Sequence, residues 1–382
     1  MNILYIANFD PRLTDFGSAQ RTHLLWESLK QVGNVYTLVS VGPMAPVIDD
    51  EAERIKSFVF VPRGWLAIRA YAFLARWLSP VEWPFRFSSM KKHLPWKNVK
   101  FDCIVVRYLN GVARSCAWKL GDVYVDIDDL PIEAYMTITR RKLPWIFRGF
   151  GGILVSSWQS WLLKKCKGAW IASADQVGHV SPLCGCRALP NLALPPSSEY
   201  KMFGRQKRQL MTVGLMSYAP NFEGVDWFID KVWKEVHARH PEFSYVICGG
   251  GLPGRLREKW SAVPGVKVCG FVRDLDAVYE ESLGVVTPIF SGSGTCIKVV
   301  EAVMYGRKVF ATPFAIRGIG PSVLSGLQIA PTSEPSTMCR AICRFLEEEN
   351  ACRRNLQEEI YSTAKSVYSL ESFARSVRAV LV

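Results

Sequence analysis

One stretch, residues 283–306, constrains the fold more than any other part of the chain. It opens with a short apolar run, 283–288, that predicts a buried strand, and it ends with helical periodicity over 297–305. The loop between them carries Gly292 and Gly294 among serine and threonine residues. A strand, a glycine-rich turn and a helix N-terminus form an anion site, because backbone N–H groups and the helix dipole both favour negative charge there.

Two charged residues of the following helix refine this prediction. Lys298 adds a positive charge in the first turn, and Glu301 follows at i+3 on roughly the same face. A carboxylate next to a phosphate site is suited to accept hydrogen bonds from a ribose diol, so the stretch predicts a nucleoside diphosphate ligand. The spacing matches neither the P-loop nor the dinucleotide fingerprint. The alternative is an ordinary strand–turn–helix crossover in which Glu301 is solvated.

The length and composition indicate a globular chain. The 382 residues suggest two domains, and the hydrophobic fraction of 49% is a globular value. We expect no signal peptide, because residues 1–7 lack a basic region, and no charge-free run is long enough to span a membrane. The 11 cysteines are scattered without a zinc-type spacing, which favours reduced thiols in a cytoplasmic protein.

The first half begins with a βαβ unit. Strands are predicted at 2–7 and 34–41 and a helix at 19–32, as at the start of a doubly wound sheet. Ligands bind at the carboxyl ends of the strands in such sheets, so the first loop is a site candidate. Gly17 allows close approach there and Arg21 offers a guanidinium. The alternative for Arg21 is a solvated residue in the first turn of the helix.

Three carboxylates lie at the end of a strand predicted at 123–127, which follows another at 101–106. Asp126, Asp128 and Asp129 could bind a metal, act as a base or hold sugar hydroxyls. The alternative is a helix N-cap followed by a proline-bearing turn.

Basic and aromatic residues alternate in two segments, 58–98 and 140–167. Cations with tryptophan and leucine suit an anionic bilayer interface, and the net charge of +13 agrees with an acidic partner or surface. Nucleic acid is a rival interpretation that we do not favour, because bulky aromatic and aliphatic residues dominate. A core with a solvated cationic face is the other alternative.

The second half restarts the alternation of strands and helices. Strands are predicted at 210–213, 243–248, 266–268, 308–312 and 327–330, with helices between them. Proline-rich and basic residues near 200 mark a boundary. We therefore predict a first α/β domain over 1–200, a second over 201–360, and a C-terminal helical segment, 361–382, that packs back on the first domain.

The second half resembles the C-terminal domain of family-4-like glycosyltransferases of the GT-B fold, the glycosyl transferases group 1 type. The residues that carry the resemblance are in residues 213–221, 227–228, 249–250, 265–270 and 292–306. The first half is similar more loosely, through residues 17–21 and Asn191. The resemblance implies two Rossmann-like α/β domains that face each other across a cleft, with a nucleotide-sugar in the second domain and an acceptor in the first.

The resemblance also implies roles for individual residues. Glu301 holds the ribose, Ser293, Gly294 and Thr295 bind the diphosphate with help from Lys298, and the base lies near the backbone of Phe271 and Val272. Gly214, Gly249 and Gly250 complete the predicted donor site. The predicted catalytic residues are Asp128, Asp129 and Lys298, and Gly17 and Arg21 form the acceptor or phosphate side of the site.

The resemblance implies sugar transfer with retention from a UDP- or GDP-sugar, without a metal or other cofactor, to a lipid-linked sugar or glycan acceptor. We expect no nucleic-acid partner, and a peripheral location on the inner face of the cytoplasmic membrane. Ser293 stands where the family has the first of two glutamates. That serine keeps open a non-catalytic nucleotide-sugar-binding partner as an alternative. A GT-B-like sugar-nucleotide epimerase or hydrolase is the other alternative.

Overall fold

The computed structural model describes residues 1–14, 17–41, 47–59, 94–139, 144–197, 200–204, 206–292 and 295–381. The chain divides into two compact units. The first comprises Met1–Asn191 with Leu370–Val382, and the second comprises Leu192–Ser369. The first boundary therefore lies nine residues before the predicted end of the first domain at residue 200. The second lies nine residues after the predicted end of the second domain at residue 360.

An eight-stranded sheet forms the first unit. Its strands are β1 (Asn2–Ala7), β2 (Asn34–Val41), β3 (Asp49–Asp50), β4 (Ile55–Val59), β5 (Cys103–Arg107), β6 (Val123–Ile127), β7 (Gly168–Ile171) and β8 (Gly185–Ala188). The spatial order is β3-β4-β2-β1-β5-β6-β7-β8, and only the β3–β4 pair is antiparallel among the described strands. Strands β2, β4 and β3 lie on one side of β1, and strands β5 to β8 lie on the other side. The topological switch point therefore lies between β1 and β5.

Helices cover this sheet. They are α1 (Gly17–Lys30), α2 (Leu109–Ser115), α3 (Pro131–Thr139), α4 (Trp145–Leu163) and α5 (Val177–Val180). The core between sheet and helices is aliphatic, with Leu4, Val106 and Val125 from the strands packed with Val112 and Leu162 from the helices. Continuous apolar strands of this kind are typical of a parallel sheet covered on both faces.

A five-stranded parallel sheet forms the second unit. Its strands are β9 (Gln209–Val213), β10 (Ser244–Cys248), β11 (Val266–Gly270), β12 (Gly284–Thr287) and β13 (Lys308–Ala311), in the order β11-β10-β9-β12-β13. Its helices are α6 (Ala219–Phe228), α7 (Lys234–Arg239), α8 (Gly254–Ser261), α9 (Leu275–Glu281), α10 (Ile297–Met304), α11 (Pro321–Gly326), α12 (Pro335–Glu347) and α13 (Asn350–Val367). A π-helical turn, Ile229–Trp233, joins α6 to α7. The switch point of this sheet lies between β9 and β12.

The last helix, α14 (Leu370–Leu381), belongs to the first unit. The Trp170 side chain donates its Nε1 proton to the Ser376 carbonyl at 3.4 Å. Arg378 donates to the Gln31 carbonyl at 3.3 Å, and the Phe373 ring lies 6.0 Å from the guanidinium carbon of Arg21. The helix therefore packs on α1 and on strands β7 and β8 at one end of the sheet.

The structure corrects the predicted strand at 327–330. That segment forms a turn directly after α11, in which Gln328 has a φ of 56°. A residue in the left-handed region interrupts the extended backbone that a strand requires. Within the described residues no helix is long and apolar enough to cross a membrane.

Candidate functional site

Three glycine turns meet at the carboxyl edge of the second sheet. Gly214 follows β9 and donates its N–H to the Cys248 carbonyl at 3.0 Å, and Gly249 follows β10 and donates to the Gly270 carbonyl at 2.6 Å. A Cβ built on Gly249 would lie 1.7 Å from the Gly214 oxygen, and Gly249 has a φ of +143°. Only glycine fits there, so the loops approach one another backbone to backbone.

Lys298 lies at the switch point of this sheet, where ligands of doubly wound folds bind. It occupies the first turn of α10 and crosses the Gly214 turn, because a Cβ on Gly214 would come within 2.5 Å of Lys298 Cε. Asn221 fixes the same turn by donating its side-chain N–H to the Leu215 carbonyl at 2.7 Å. A cation and a helix N-terminus thus converge on the glycine turns, an arrangement that favours a diphosphate.

Glu301 stands one turn further along α10, against buried aromatic side chains. Tyr279 donates its hydroxyl proton to Glu301 Oε2 at 3.0 Å, and the Tyr279 and Tyr305 rings stack with centroids 3.9 Å apart. The Tyr305 hydroxyl donates in turn to Asp276. Burial raises the pKa of Glu301 above its ordinary value, although Tyr279 and Lys298 counteract it. This carboxylate is therefore held rigidly and is short of hydration, which prepares it to accept hydrogen bonds from a ligand.

Exposed apolar residues surround the glycine turns. Four large apolar side chains of the second unit are exposed among the described residues, and all four lie in loops after its strands or at the start of α6: Leu215 (61% exposed), Tyr218 (45%), Phe271 (75%) and Phe290 (41%). Apolar groups concentrated at one sheet edge are typical of a surface that a ligand covers.

The structure brings most of the predicted donor residues together. Gly214 lies against Lys298 and Gly249, and a Cβ on Gly250 would lie 3.7 Å from the Phe271 Cβ. Val272 and Thr295 are half-buried in neighbouring loops. Ser293 and Gly294 lie outside the described residues. Their predicted contacts to the diphosphate stay a prediction, as do the roles of the other donor residues.

The carboxylates of the first unit lie in a buried ion-pair network. Arg21 Nη2 lies 2.6 Å from Asp126 Oδ1 and its Nε lies 2.8 Å from Asp128 Oδ1. Arg107 pairs with Asp126 and with Asp128 Oδ2, the latter at 2.8 Å. Both arginines are almost completely buried. The network therefore ties the start of α1 to the ends of β5 and β6.

Further donors complete this network. Arg21 donates to the Leu189 carbonyl at 2.9 Å and to Asn191 Oδ1 at 2.8 Å, and Tyr108 donates to Asp128 Oδ2 at 2.9 Å. Burial alone would raise the pKa of Asp128, but Arg107, Arg21 and Tyr108 outweigh it and hold that pKa below its ordinary value.

The ion-pair network includes two of the predicted catalytic and acceptor residues, Asp128 and Arg21. Arg21 directs its guanidinium to protein groups, and Asp128 is a weak base because three partners stabilise its charge. Both residues position the sheet ends in this structure, whereas a direct role in catalysis or acceptor binding stays a prediction. Asp129 is half-buried after Asp128, and Gly17 is the first residue of α1. Over the described ranges, no group of His, Cys, Asp or Glu side chains could hold a metal ion.

Sequence reasoning missed Arg107, Tyr279 and the aromatic stack. A signal existed for Arg107, which is the register partner of Asp126 on the adjacent strand. Opposite charges at the ends of two apolar strands predict a buried pair. Nothing in the local pattern of α9 distinguishes Tyr279 from an ordinary core residue.

Comparison with known proteins agrees with the fold. Residues 207–348 match the family model described as Glycosyl transferases group 1. Among curated proteins, an uncharacterized 44.6 kDa protein in the cps region of Klebsiella pneumoniae is 22% identical over 174 residues. That match covers 44% of this chain and 40% of the relative, so the aligned part spans less than half of either protein.

Solved structures match over nearly the whole chain. Sucrose-phosphate synthase from Thermosynechococcus elongatus superposes with a TM-score of 0.67 at 14% identity, covering 99% of this chain and 98% of its own. HepE from Anabaena, solved with UDP and glucose, has a TM-score of 0.66 at 12% identity, covering 100% and 99%. WaaG, a glycosyltransferase involved in lipopolysaccharide biosynthesis, has a TM-score of 0.61 at 13% identity, covering 99% of each chain. The predicted GT-B fold and the resemblance of the second half are thereby confirmed.

Proposed function

We propose that this chain, a GT-B protein whose second unit carries a group 1 glycosyltransferase domain, transfers a sugar from a nucleotide-sugar to a hydroxyl acceptor. One observation carries the proposal. A cation and a helix N-terminus lie against the glycine turns at the switch point of the second sheet, and a half-buried carboxylate follows one helical turn further along α10. This order matches the order of diphosphate and ribose in a nucleoside diphosphate.

Each group in the site has a role in this proposal. Lys298 and the first turn of α10 neutralise the diphosphate, and Glu301 accepts hydrogen bonds from the ribose hydroxyls. The exposed side chain of Phe271 and the backbone of Val272 lie beside the base. HepE has been solved in complex with UDP-glucose, which supports a uridine nucleotide as the first donor to test.

The proposed transfer retains the configuration at the anomeric carbon. The leaving diphosphate removes the acceptor proton on the same face of the sugar, and Lys298 with the α10 N-terminus stabilises the charge that develops on the diphosphate. These groups supply the positive charge that a divalent cation supplies elsewhere, so we propose that transfer needs no metal.

The acceptor is proposed to be a lipid-linked sugar or a glycan bound by the first unit. Two relatives support this class: one protein lies in a cps region, and WaaG is involved in lipopolysaccharide biosynthesis. Such an acceptor places the enzyme in the cytoplasm, on an anionic membrane surface.

The test is nucleotide release by the purified full chain from UDP-glucose and GDP-mannose, with and without lipid-linked acceptors. We expect release that depends on the acceptor, survives EDTA and falls by about two orders of magnitude in Lys298→Ala. Lys267→Ala is the matched control, because Lys267 is exposed on β11. The anomeric configuration of the product, read by NMR, tests retention.

Other outcomes contradict parts of the proposal. Acceptor-independent release would favour the hydrolase or epimerase alternative. Binding without turnover under any condition would indicate the non-catalytic alternative. Loss of transfer in EDTA with recovery in Mg²⁺ would contradict the metal-independent mechanism.

A further inference from the structure

Helices α3 and α4 form a hairpin in the first unit, with the small residues of α4 turned inward. A Cβ built on Gly151 would lie 1.9 Å from the Tyr135 hydroxyl of α3, and one on Gly152 would lie 3.6 Å from Met136 Sδ. The Ile132 N–H donates to Gln159 Oε1 at 3.2 Å. These contacts hold the two helices close together, and they leave the opposite side of α4 facing outward.

That outward side of α4 is apolar. Six large side chains share it, and we call them the α4 face: Ile146 (60% exposed), Phe147 (66%), Phe150 (65%), Ile153 (66%), Leu154 (42%) and Trp161 (43%). At 100° per residue they fall within about 120° of the helix circumference. The inward side has buried Val155 and Leu162, so α4 is apolar on both sides. A solvated surface helix would present polar residues outward instead.

The charged residues directly after α4 are all positive. Helix α4 itself contains no acidic residue. Lys164 and Lys165 are exposed directly after its end, and the Lys165 ammonium lies 6.0 Å from the Trp161 ring centroid. An exposed apolar patch of this size marks an interaction surface, and its cationic border selects a negatively charged partner.

We infer that the α4 face docks on an anionic lipid bilayer, with the helix axis in the plane of the interface. The apolar side chains enter the boundary between headgroups and acyl chains, Trp161 lies at that boundary, and Lys164 and Lys165 contact the headgroups. A second copy of the chain is a poorer occupant, because its α4 face brings further cations and no acidic residue of α4 to complement them.

This inference rests on the proposed membrane-side acceptor, and it adds which surface makes the contact. It does not rest on the donor site. Vesicle binding and nucleotide binding are separate measurements on the same full chain, so failure of one is distinguishable from failure of the other.

The experiment is co-sedimentation with vesicles of phosphatidylcholine alone or mixed with phosphatidylglycerol. We expect the wild type to bind the mixed vesicles, and the triple variant Phe147→Ser/Phe150→Ser/Ile153→Ser to bind about tenfold less or weaker still. Val47→Ser is the control, because it removes an exposed apolar side chain that lies outside the α4 face. Val47 is 85% exposed in a loop of the same unit.

A second pair of variants tests the charges. Lys164→Ala/Lys165→Ala lowers binding to mixed vesicles several-fold, whereas Lys231→Ala/Lys267→Ala, with the same net charge, leaves it unchanged. These substitutions are at exposed positions, so they test the inference even if the triple variant unfolds.

Several results would overturn the inference. The wild type could ignore mixed vesicles, or it could bind them equally well after the triple substitution while its thermal unfolding is unchanged. Light scattering could also show a dimer that the triple substitution converts to monomers, without vesicle binding. The α4 face would then be an interface between copies of this chain.

Discussion

At the scale of single residues, Glu301 depends on the aromatic groups beneath it. Tyr279 is completely buried and donates to the carboxylate at 3.0 Å, while Tyr305 stacks against Tyr279 and donates to Asp276. Burial raises the pKa of Tyr279, so its hydroxyl stays a donor throughout the physiological pH range. A positioning role for Tyr279 follows from this geometry.

We therefore expect Tyr279→Phe to weaken UDP binding about fivefold, because it removes one hydrogen bond worth about 1 kcal/mol to the Glu301 carboxylate. We expect the thermal unfolding midpoint of Tyr279→Phe to change little, because the ring and its stacking on Tyr305 remain. Tyr305→Phe is the matched control, since it removes a hydroxyl from the same stack but leaves the donor to Glu301 in place. Equal affinities in wild type and Tyr279→Phe, measured by calorimetry, would refute the positioning role.

The raised pKa of Glu301 predicts how UDP-glucose binding depends on pH. In the proposed site the ionised carboxylate accepts from the ribose, so we expect affinity to fall as the pH is lowered toward this raised pKa, before an ordinary carboxylate would be protonated. The folded chain also holds this proton more tightly than the unfolded chain does. Ionisation therefore costs stability above the ordinary carboxyl pKa, and Glu301→Gln is the more stable protein at neutral pH. A wild-type binding profile that runs parallel to that of Glu301→Gln would contradict this explanation.

The residues differ in how far the sequence predicts them. Lys298 and Glu301 could be proposed as ligand-binding residues from the sequence because they share one helix face directly after a glycine loop, which is a local pattern. Arg21 was predicted as an open ligand of the acceptor side, yet its partners Asp126 and Asp128 lie more than a hundred residues away. Charge pairing across such a separation cannot be recognised until the sheet order is known.

At the scale of secondary-structure elements, the glycine turns after β9 and β10 pack against each other at the carboxyl edge of the second sheet, where we propose that the donor binds. Gly249→Ala places a Cβ against the Gly214 carbonyl and forces an unfavourable φ. We expect a loss of about 1–3 kcal/mol in the free energy of unfolding, together with weaker nucleotide binding. Gly254→Ala at the start of α8 is the control, because its Cβ would meet no atom within 4 Å. Equal stability of the two variants in denaturant titrations would show that the turns are not tightly packed.

The ion-pair network joins α1, β5 and β6. Arg21→Ala leaves Asp126 and Asp128 with an unpaired buried charge, so we expect a loss of about 3–5 kcal/mol in the stability of the first unit. Arg12→Ala breaks exposed pairs to Asp10 and Asp50, in which Arg12 is 44% exposed, and should cost at most about 1 kcal/mol. Urea unfolding followed by tryptophan fluorescence compares them, and similar losses would contradict a structural role for the network.

Elements differ in predictability for physical reasons. The apolar parallel strands β1, β9 and β10 could be predicted because each forms a short continuous hydrophobic run between polar loops. Strand β8 was missed, since its residues Gly185–Ala188 include glycine, cysteine and arginine and gain their conformation by pairing with β7. The π-helical turn Ile229–Trp233 lies in a segment, 224–237, that the sequence predicts as one helix. Its buried residues recur at intervals of three and four, a spacing that an uninterrupted α-helix also shows.

At the scale of the whole molecule, two α/β units carry different chemistry. The second unit has the glycine turns, Lys298 and Glu301, and the first has the ion-pair network and the α4 face. Alternation of strands and helices along the sequence could predict this division, because each unit restarts at a parallel strand. The second predicted basic and aromatic segment, 140–167, includes the exposed α4 face, whereas most of the first, 58–98, lies outside the described residues.

The central claim is that the second unit binds a nucleotide-sugar through Glu301. The most direct test is calorimetric titration of UDP, GDP and their glucose and mannose conjugates into wild type, Glu301→Ala and the exposed control Glu258→Ala. We expect one nucleotide family to bind, with affinity lowered at least about tenfold, or about 1.4 kcal/mol, only in Glu301→Ala. If no nucleotide binds the wild type, or if both variants bind as the wild type does, the donor-site assignment is wrong.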